Sequence, residues 1–348
     1  MFRKTYDPIW SEDGVESTDQ LHTATSTEKE VEVQHPYERE LEIMEKVFSL
    51  LSFGWEDVPW AEFLLNPRRL RGSDFLMRWS QGVWSEKRML EAVNSHGEFV
   101  AVAYGPSGVA PKEPREHELY FERLEEAGLG EIKRPDLLLF RGEHRDEVQD
   151  TIAGLGGQEN LPFLKEDSLS SLLHMAIVGI ECENSLWIAK QMPDYAAELR
   201  PMGRLEGRPG LPKDAVLPTV IVKEEDLDPL REWQQRNGVP IHVWHSFYDM
   251  AFGLSWTRLE ELITSGLIVP RIQQYQAPGG ATTEKSTYFV YHQYAYEVGT
   301  TTSDPQLIAD SITDRNGHIL PYVRFEGGSM TIHAGALEEL RTLGRRSD

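Results

Sequence analysis

Segments with apolar residues at helical spacing alternate along this chain with short runs of β-branched, aromatic and aliphatic residues. Helical spacing predicts helices over residues 37–53, 56–66, 80–94, 111–131, 167–175, 185–199, 227–236 and 256–265. The short runs predict strands at 97–104, 137–140, 176–183, 218–222 and 239–244, with strand-rich segments at 286–298 and 318–333. Apart from the predicted helices at 111–131 and 167–175, the order from residue 80 to 245 is helix, three strands, helix, strand, helix, strand, which indicates an α/β fold.

The segment 218–244 has the pattern of a short β-α-β unit. Its helix ends at Asn237-Gly238, and a second apolar run follows at once. Such a unit predicts that its two strands pair in parallel within one buried sheet. We therefore expect a central mixed β-sheet flanked by helices.

Length and composition fit a globular protein with additions at both ends. The chain has 348 residues, of which 40% are hydrophobic. We expect a flexible acidic arm at 1–36, a helical region at 37–79, a core at 80–270 with an insertion at 143–175, and a β-rich C-terminal extension at 271–348 packed on the core. No apolar run is long enough for a membrane span and no apolar signal core begins the chain, so we expect a cytoplasmic protein without a membrane partner.

Acidic residues stand next to two of the predicted strands, where acids are unusual. Pro135-Asp136 precedes the run 137–140, and Glu181-Cys182-Glu183 ends the run 176–183. Because strand side chains alternate, Glu181 and Glu183 should project from one face and Cys182 from the other. A buried pair of carboxylates needs a cation or a proton, and oxygen ligands suit Mg2+. The alternative is a salt bridge at a strand end.

Charge gives a mixed indication about a nucleic-acid partner. The net charge of -22 opposes binding to a phosphate backbone. Two segments nevertheless concentrate arginines that could contact DNA, unless they are only solvated surface. These residues are Arg68, Arg69, Arg71 and Arg78 in the first segment and Arg200, Arg204 and Arg208 in the second.

The order of strands and acids resembles the core of the PD-(D/E)xK nuclease superfamily. In that core a Pro-Asp aspartate lies on one strand, and an acid and a lysine lie two residues apart on the next. The matching residues here are Asp136, Glu181 and, in the lysine position, Glu183. A few type II restriction endonucleases, including BamHI, carry this E-x-E variant together with a glutamate on a preceding helix, for which Glu86 is the candidate.

Other strings are similar to the type II enzymes grouped around AccI. They are Met77-Arg78-Trp79-Ser80-Gln81-Gly82, Trp84-Ser85-Glu86, Tyr104-Gly105-Pro106-Ser107, the stretch 220–226 and Gly238-Val239-Pro240-Ile241. The resemblance implies a Mg2+-dependent endonuclease that cuts double-stranded DNA at a short specific sequence and acts as a homodimer.

The resemblance also implies roles for the acidic residues. Asp136 and Glu181 would hold Mg2+, Glu183 would position or deprotonate the attacking water, and Glu86 would complete a second metal site or orient its helix. Lys190 and Lys223 are possible substitutes for the missing lysine. Two alternatives remain open: a noncatalytic DNA-binding or regulatory protein that retains the fold, and a DNA repair or junction nuclease. His242 and His245 have a spacing that places them on opposite faces of one strand, which favours packing over metal binding.

Overall fold

The computed structural model describes residues 71–106, 120, 123–125, 129, 133–185, 187–276, 282–313 and 319–344. The predicted acidic arm, the helices at 37–53 and 56–66 and most of the helix at 111–131 lie outside the described residues.

The described helices are α1 (Arg71–His96), α2 (Arg145–Gly154), α3 (Ser170–Met175), α4 (Glu224–Asn237), α5 (Trp256–Thr264) and α6 (Ala334–Gly344). The strands of the main sheet are β1 (Phe99–Ala103), β2 (Leu137–Arg141), β3 (Ala176–Asn184), β7 (Ile241–Ser246), β8 (Met250–Ser255), β11 (Tyr296–Ser303) and β14 (Ser329–Ile332). The remaining strands are β4 (Arg200–Pro201), β5 (Pro209–Gly210), β6 (Thr219–Lys223), β9 (Arg271–Gln276), β10 (Thr282–Tyr291), β12 (Gln306–Thr313) and β13 (Ile319–Glu326).

The main sheet is mixed and has seven strands in the order β1-β2-β3-β7-β8-β11-β14. Its neighbouring strands are antiparallel except β3 and β7, which run parallel with Glu181 opposite Val243 and Glu183 opposite His245. Helices lie on both faces of this sheet, so the expected α/β class with a mixed sheet flanked by helices is confirmed. Of the C-terminal strands, β11 and β14 belong to this sheet, whereas β12 and β13 pair with each other in a separate two-stranded sheet.

Alternating residues of the central strands divide the core into two apolar layers. Leu137 and Leu139 pack with α1 and α6 on one face, while Leu138 and Phe140 pack with α2, α4 and α5 on the other. All nine residues of β3 are buried, which explains its nearly unbroken apolar run. The acids at the end of β3 therefore lie in the interior and not at a solvated edge.

The prediction that the strands of the 218–244 unit pair with each other is wrong. β6 pairs antiparallel with β10 in a separate three-stranded sheet, and the parallel neighbour of β7 is β3. The residues of β6 alternate between buried and half-buried, whereas all those of β7 are buried. β7 consequently lies in the doubly covered sheet and β6 outside it, a distinction that the local β-α-β pattern does not contain.

The predicted helix over 185–199 is also wrong. The described part of this segment contains one 3-10 turn, Ala189–Gln191, and otherwise irregular chain. The Asp249 carboxylate accepts the backbone N–H groups of Ala189 at 2.7 Å and Lys190 at 3.1 Å. Pro193 disfavours a helical conformation at the residue before it. These two effects stop the helix that the apolar spacing indicated.

The insertion 143–175 is built from α2, α3 and three 3-10 segments, the first of which begins at Gly142. A buried ion pair attaches it to the segment before β2: Arg134 donates from Nε to Glu166 Oε1 at 2.7 Å and from Nη2 to Glu166 Oε2 at 3.1 Å. Arg134 also donates to the carbonyl of Leu161 at 3.2 Å. The insertion therefore anchors the backbone of the segment that contains Asp136. Within the described part of the chain, no helix is long and apolar enough to cross a membrane.

Candidate metal centre

The side chains of Glu181 and Glu183 lie on one face at the end of β3. They are 3% and 2% exposed, and Cys182 between them packs into the apolar layer of the other face. The expected alternation is confirmed. Two carboxylates are thus held side by side in the interior, where an uncompensated pair of charges is unfavourable.

Asp226 in the first turn of α4 completes an acidic cluster, which we call the carboxylate trio: Glu181, Glu183 and Asp226. One oxygen from each lies within 4.8 Å of the others. α4 is held against the sheet by Leu230 and Trp233, both buried. Because Asp226 and Leu230 are four residues apart, the same helix face carries both. The carboxylate trio has the donor set and spacing to hold a metal ion.

Asp226 was not among the residues singled out from the sequence. Read alone, Glu224-Glu225-Asp226 is a run of acids at a helix start, which is favourable there without any ligand. The signal that distinguishes Asp226 is its position at the head of the apolar stripe that continues through Leu230 and Trp233. An acid in the buried stripe of a helix calls for a partner, whereas Glu224 and Glu225 are exposed.

Two lysines neutralise part of the charge of the carboxylate trio. The Lys133 ammonium is 2.5 Å from Glu181 Oε1 and 3.8 Å from Asp226 Oδ1. The Lys223 ammonium, at the end of β6, is 3.5 Å from Glu183 Oε1. Of the two candidate substitutes for the missing lysine, Lys223 therefore reaches the acids, whereas Lys190 is exposed on the 3-10 turn. Lys133 was not foreseen from the sequence.

The Asp136 side chain is linked to the carboxylate trio by a hydrogen bond to the backbone of β3. Its Oδ2 accepts the N–H of Cys182 at 2.7 Å, and its carbonyl accepts the N–H groups of Tyr104 and Gly105 at 2.8 and 3.0 Å. A Cβ at Gly105 would lie 3.0 Å from Asp136 Cα, so a side chain at this position would crowd the approach of the two segments. Asp136 is buried at 3% exposure and lies outside the group of three close oxygens.

Glu86 is buried in α1 at 6% exposure and is also outside the carboxylate trio. α1 packs through Met89, Ala92 and Val93 into the layer that contains Cys182, which is the face opposite Glu181 and Glu183. The helix passes the end of β3 at Gly82, where a Cβ would lie 3.6 Å from Asn184 Nδ2. The structure thus brings Glu181 and Glu183 together with Asp226, and it does not bring Glu86 into that group.

The two histidines of β7 occupy opposite faces, as expected. Nδ1 of His242 is 2.8 Å from the Tyr296 hydroxyl, and burial lowers the pKa of His242 to about 4. His245 is completely buried beside Glu183, and its Nδ1 accepts the N–H of Ile221 at 3.3 Å. Burial lowers the pKa of His245 to about 4, and the negative charge of Glu183 opposes that shift. Nε2 of His245 has no hydrogen-bond partner within the described residues.

The candidate DNA-contacting arginines differ in their location and in their hydrogen-bond partners. Arg68 and Arg69 lie outside the described residues, and Arg71 and Arg78 lie within α1. Arg204 donates to the carbonyl of Leu211, and Arg208 donates to the carbonyls of Leu205 at 3.0 Å and of Ser265. Arg200 on β4 is exposed. Arg204 therefore bonds within its own loop, and Arg208 ties that loop to the end of α5, whereas the exposed Arg200 has no such role among the bonds of the described residues.

The chain matches no protein-family model, no curated protein and no solved structure. What can be concluded about its chemistry therefore comes from its own residues.

Proposed function

We propose that this protein is a Mg2+-dependent endonuclease of the type II restriction kind, which hydrolyses phosphodiester bonds at a short sequence of double-stranded DNA. The observation that carries the proposal is the carboxylate trio with Lys133 and Lys223 beside it, at the end of a buried strand that Asp136 braces. Carboxylate oxygens are the ligands that Mg2+ prefers. Ammonium groups beside such a site can stabilise the charge that develops on a phosphoryl group during its transfer.

The charge of the site supports a cation-dependent reaction. Among the described residues, two ammonium groups contact the three carboxylates, so a divalent cation bound there would add positive charge where a phosphate must approach. Such a cation would offset, at the site itself, the unfavourable net charge of -22. Bound Mg2+ would neutralise the phosphate and the departing 3' oxygen.

The residues of the chain would divide the remaining work. Glu181 and Asp226 would hold the cation, with Asp136 as a further ligand at its border. Glu183 would orient and deprotonate the attacking water, and Lys223, 3.5 Å from it, would hold a phosphate oxygen in the role of the missing lysine. Glu86 would act from α1 by orienting the end of β3.

Recognition of the sequence and assembly belong to the same proposal. Arg200 would contact DNA from the exposed strand β4, where a guanidinium can bind a guanine edge through two hydrogen bonds. Cutting both strands of a two-fold symmetric site would require a homodimer. The protein would act in the cytoplasm on DNA that enters it.

Digestion of mixed-sequence DNA with and without Mg2+ tests the proposal. We expect discrete, reproducible fragments with Mg2+ and none with EDTA. Glu181→Gln and Asp226→Asn should each lower cleavage by at least about 100-fold, because each removes a ligand of the cation. Glu225→Gln is the matched control, since Glu225 precedes Asp226 but faces outward to Lys285 at 2.7 Å.

The other outcomes distinguish the alternatives. Tight DNA binding without cleavage in Mg2+ or Mn2+ would favour the noncatalytic DNA-binding protein. Cleavage confined to branched or damaged DNA would favour the repair or junction nuclease. Full cleavage by Glu181→Gln would show that the site is elsewhere.

A further inference from the structure

Lys133 occupies the place in the carboxylate trio that a cation would take. Its ammonium is 2.5 Å from Glu181 Oε1 and 3.8 Å from Asp226 Oδ1, and the oxygens of the trio are themselves within 4.8 Å of one another. The ammonium is thus close to two of the three carboxylates. Lys223 contacts the third carboxylate instead. Its ammonium lies 3.5 Å from Glu183 Oε1, and the residue stands immediately before α4.

Both cations cannot occupy this position together. Mg2+ requires its oxygen ligands at about 2.0–2.1 Å. An ion bound there to Glu181 and Asp226 would approach the Lys133 ammonium closely in a low-dielectric interior, where like charges repel strongly. The ammonium must therefore move when a divalent cation binds.

The structure allows that movement while holding the backbone. The Lys133 side chain is 18% exposed, compared with 4% for Glu181, so its long flexible stem has a way to solvent. The next residue, Arg134, is fixed by its buried ion pair with Glu166. Displacement would consequently turn the side chain of Lys133 toward solvent and leave the backbone in place.

A second feature of the site points to a ligand independently of the acids. His245 lies beside Glu183 on the same face of the neighbouring parallel strand and is completely buried. Because Nδ1 accepts the Ile221 amide, Nε2 carries the proton, and this donor has no partner within the described residues. A buried donor of this kind ordinarily has an acceptor, such as a water or an anionic group of a bound ligand.

We propose that Lys133 is an exchangeable counter-ion of the carboxylate trio: its ammonium holds Glu181 and Asp226 together, leaves when a divalent cation binds, and then faces the phosphate of the substrate. The inference rests on the proposed function for the metal and the phosphate. It adds that metal binding is a competition with this lysine. Exchange would keep the acids neutralised before the metal arrives and would supply a positive charge to the substrate afterwards.

Two measurements on the full-length protein without DNA test the exchange. The first is amine-reactive labelling followed by mass spectrometry, in which Mg2+ should accelerate the modification of Lys133 several-fold. Lys285 is the control, since its ammonium binds Glu225 at 2.7 Å outside the trio and should be modified at an unchanged rate. The second is the affinity for Mn2+, measured from the electron paramagnetic resonance signal of free Mn2+.

Removing the competing charge should tighten metal binding. An opposite charge within about 4–6 Å changes the binding of a proton to a carboxylate by about 10- to 1000-fold, so Lys133→Met should bind Mn2+ at least about tenfold more tightly than the native protein. Lys133→Arg keeps the charge and should bind as weakly as the native protein. Lys285→Met, which removes the same net charge elsewhere, should change the affinity less than about twofold.

The outcomes separate this inference from the proposed function. Unchanged labelling of Lys133 and equal Mn2+ affinities of Lys133→Met and Lys285→Met would overturn the exchange, even if the protein cuts DNA. Exchange without DNA cleavage would uphold the inference and reject the nuclease. Mn2+ binding by Lys133→Met but not by the native protein would also support it, whereas binding by neither would overturn it.

Discussion

The Asp136 carboxylate accepts the backbone N–H of Cys182 at 2.7 Å, and this bond ties the segment before β2 to the strand end that carries Glu181 and Glu183. Both groups are buried, so water does not compete for the bond. Cys182 separates the two glutamates, and holding its backbone fixes the direction of both side chains. Asp136 thus has a structural role in addition to the ligand role proposed for it.

Replacing Asp136 should reveal this structural role. Asp136→Ala leaves the Cys182 N–H without its acceptor and should lower the free energy of unfolding by about 1.5–3 kcal/mol, the usual range for a bond to a charged group. Asp136→Asn retains an acceptor oxygen and should cost less. Urea unfolding of both variants measures the difference, and equal losses would show that the hydrogen bond does not hold the strand end.

The sequence identified the members of the site that lie on strands. Alternation along β3 is a local property, so the common face of Glu181 and Glu183 and the opposite face of Cys182 followed from their spacing. The same reasoning separated His242 from His245. The strands β1, β2, β3 and β7 and the helices α4 and α5 lie close to where apolar periodicity indicated them.

The parts that failed depend on contacts between segments distant in the chain. Asp226 and Lys133 join the site only because α4 and the segment before β2 meet the end of β3. The pairing of β6 with β10 depends on a strand more than fifty residues later, and Asp249 helps to prevent the helix at 185–199. A window of local periodicity carries no information about such partners.

Breaking the buried ion pair between Arg134 and Glu166 should destabilise the fold strongly. Both side chains are almost fully buried, at 2% and 8% exposure, so Glu166→Gln leaves an uncompensated guanidinium and should cost about 3–5 kcal/mol. Arg134→Met combined with Glu166→Leu should recover part of that loss. Chemical denaturation provides the measurement.

The exposed pair of Arg231 and Glu260, 2.7 Å apart, is the control for that experiment. Each side chain is 36% exposed, and solvent screening limits such a pair to about 0–1 kcal/mol. A loss for Glu166→Gln no larger than that for Glu260→Gln would contradict the anchoring of the insertion by Arg134.

Adding one methyl group at Gly179, two residues before Glu181 on β3, should disturb the metal centre. A Cβ there would lie 2.7 Å from Pro135 Cγ and 3.4 Å from the Trp233 ring, so either β3 or the segment with Asp136 must shift. We expect Gly179→Ala to lower the free energy of unfolding by about 1–3 kcal/mol and to weaken Mn2+ binding. Gly335→Ala in α6, where a Cβ meets nothing within 4 Å, should change stability by less than about 1 kcal/mol and leave Mn2+ binding unaltered.

His242 should make stability fall as the solution is acidified. The Tyr296 hydroxyl accepts the Trp244 Nε1–H at 2.8 Å and lies 2.8 Å from His242 Nδ1, so the imidazole is packed into a buried hydrogen-bonded group. Burial lowers the pKa of His242 to about 4, whereas an unfolded histidine has a pKa of about 6.5. Below about pH 6.5 the unfolded chain therefore binds a proton that the folded protein does not, and stability decreases down to about pH 4.

The size of this effect follows from the difference between the two pKa values and is about 3 kcal/mol over the whole window. His242→Gln cannot titrate and should show a shallower decrease, while His245 contributes equally to both proteins. Urea unfolding at a series of pH values from 7.5 to 4.5 gives the two slopes. Parallel slopes would contradict this prediction, because they would show that His242 takes up a proton in the native state as readily as in the unfolded chain.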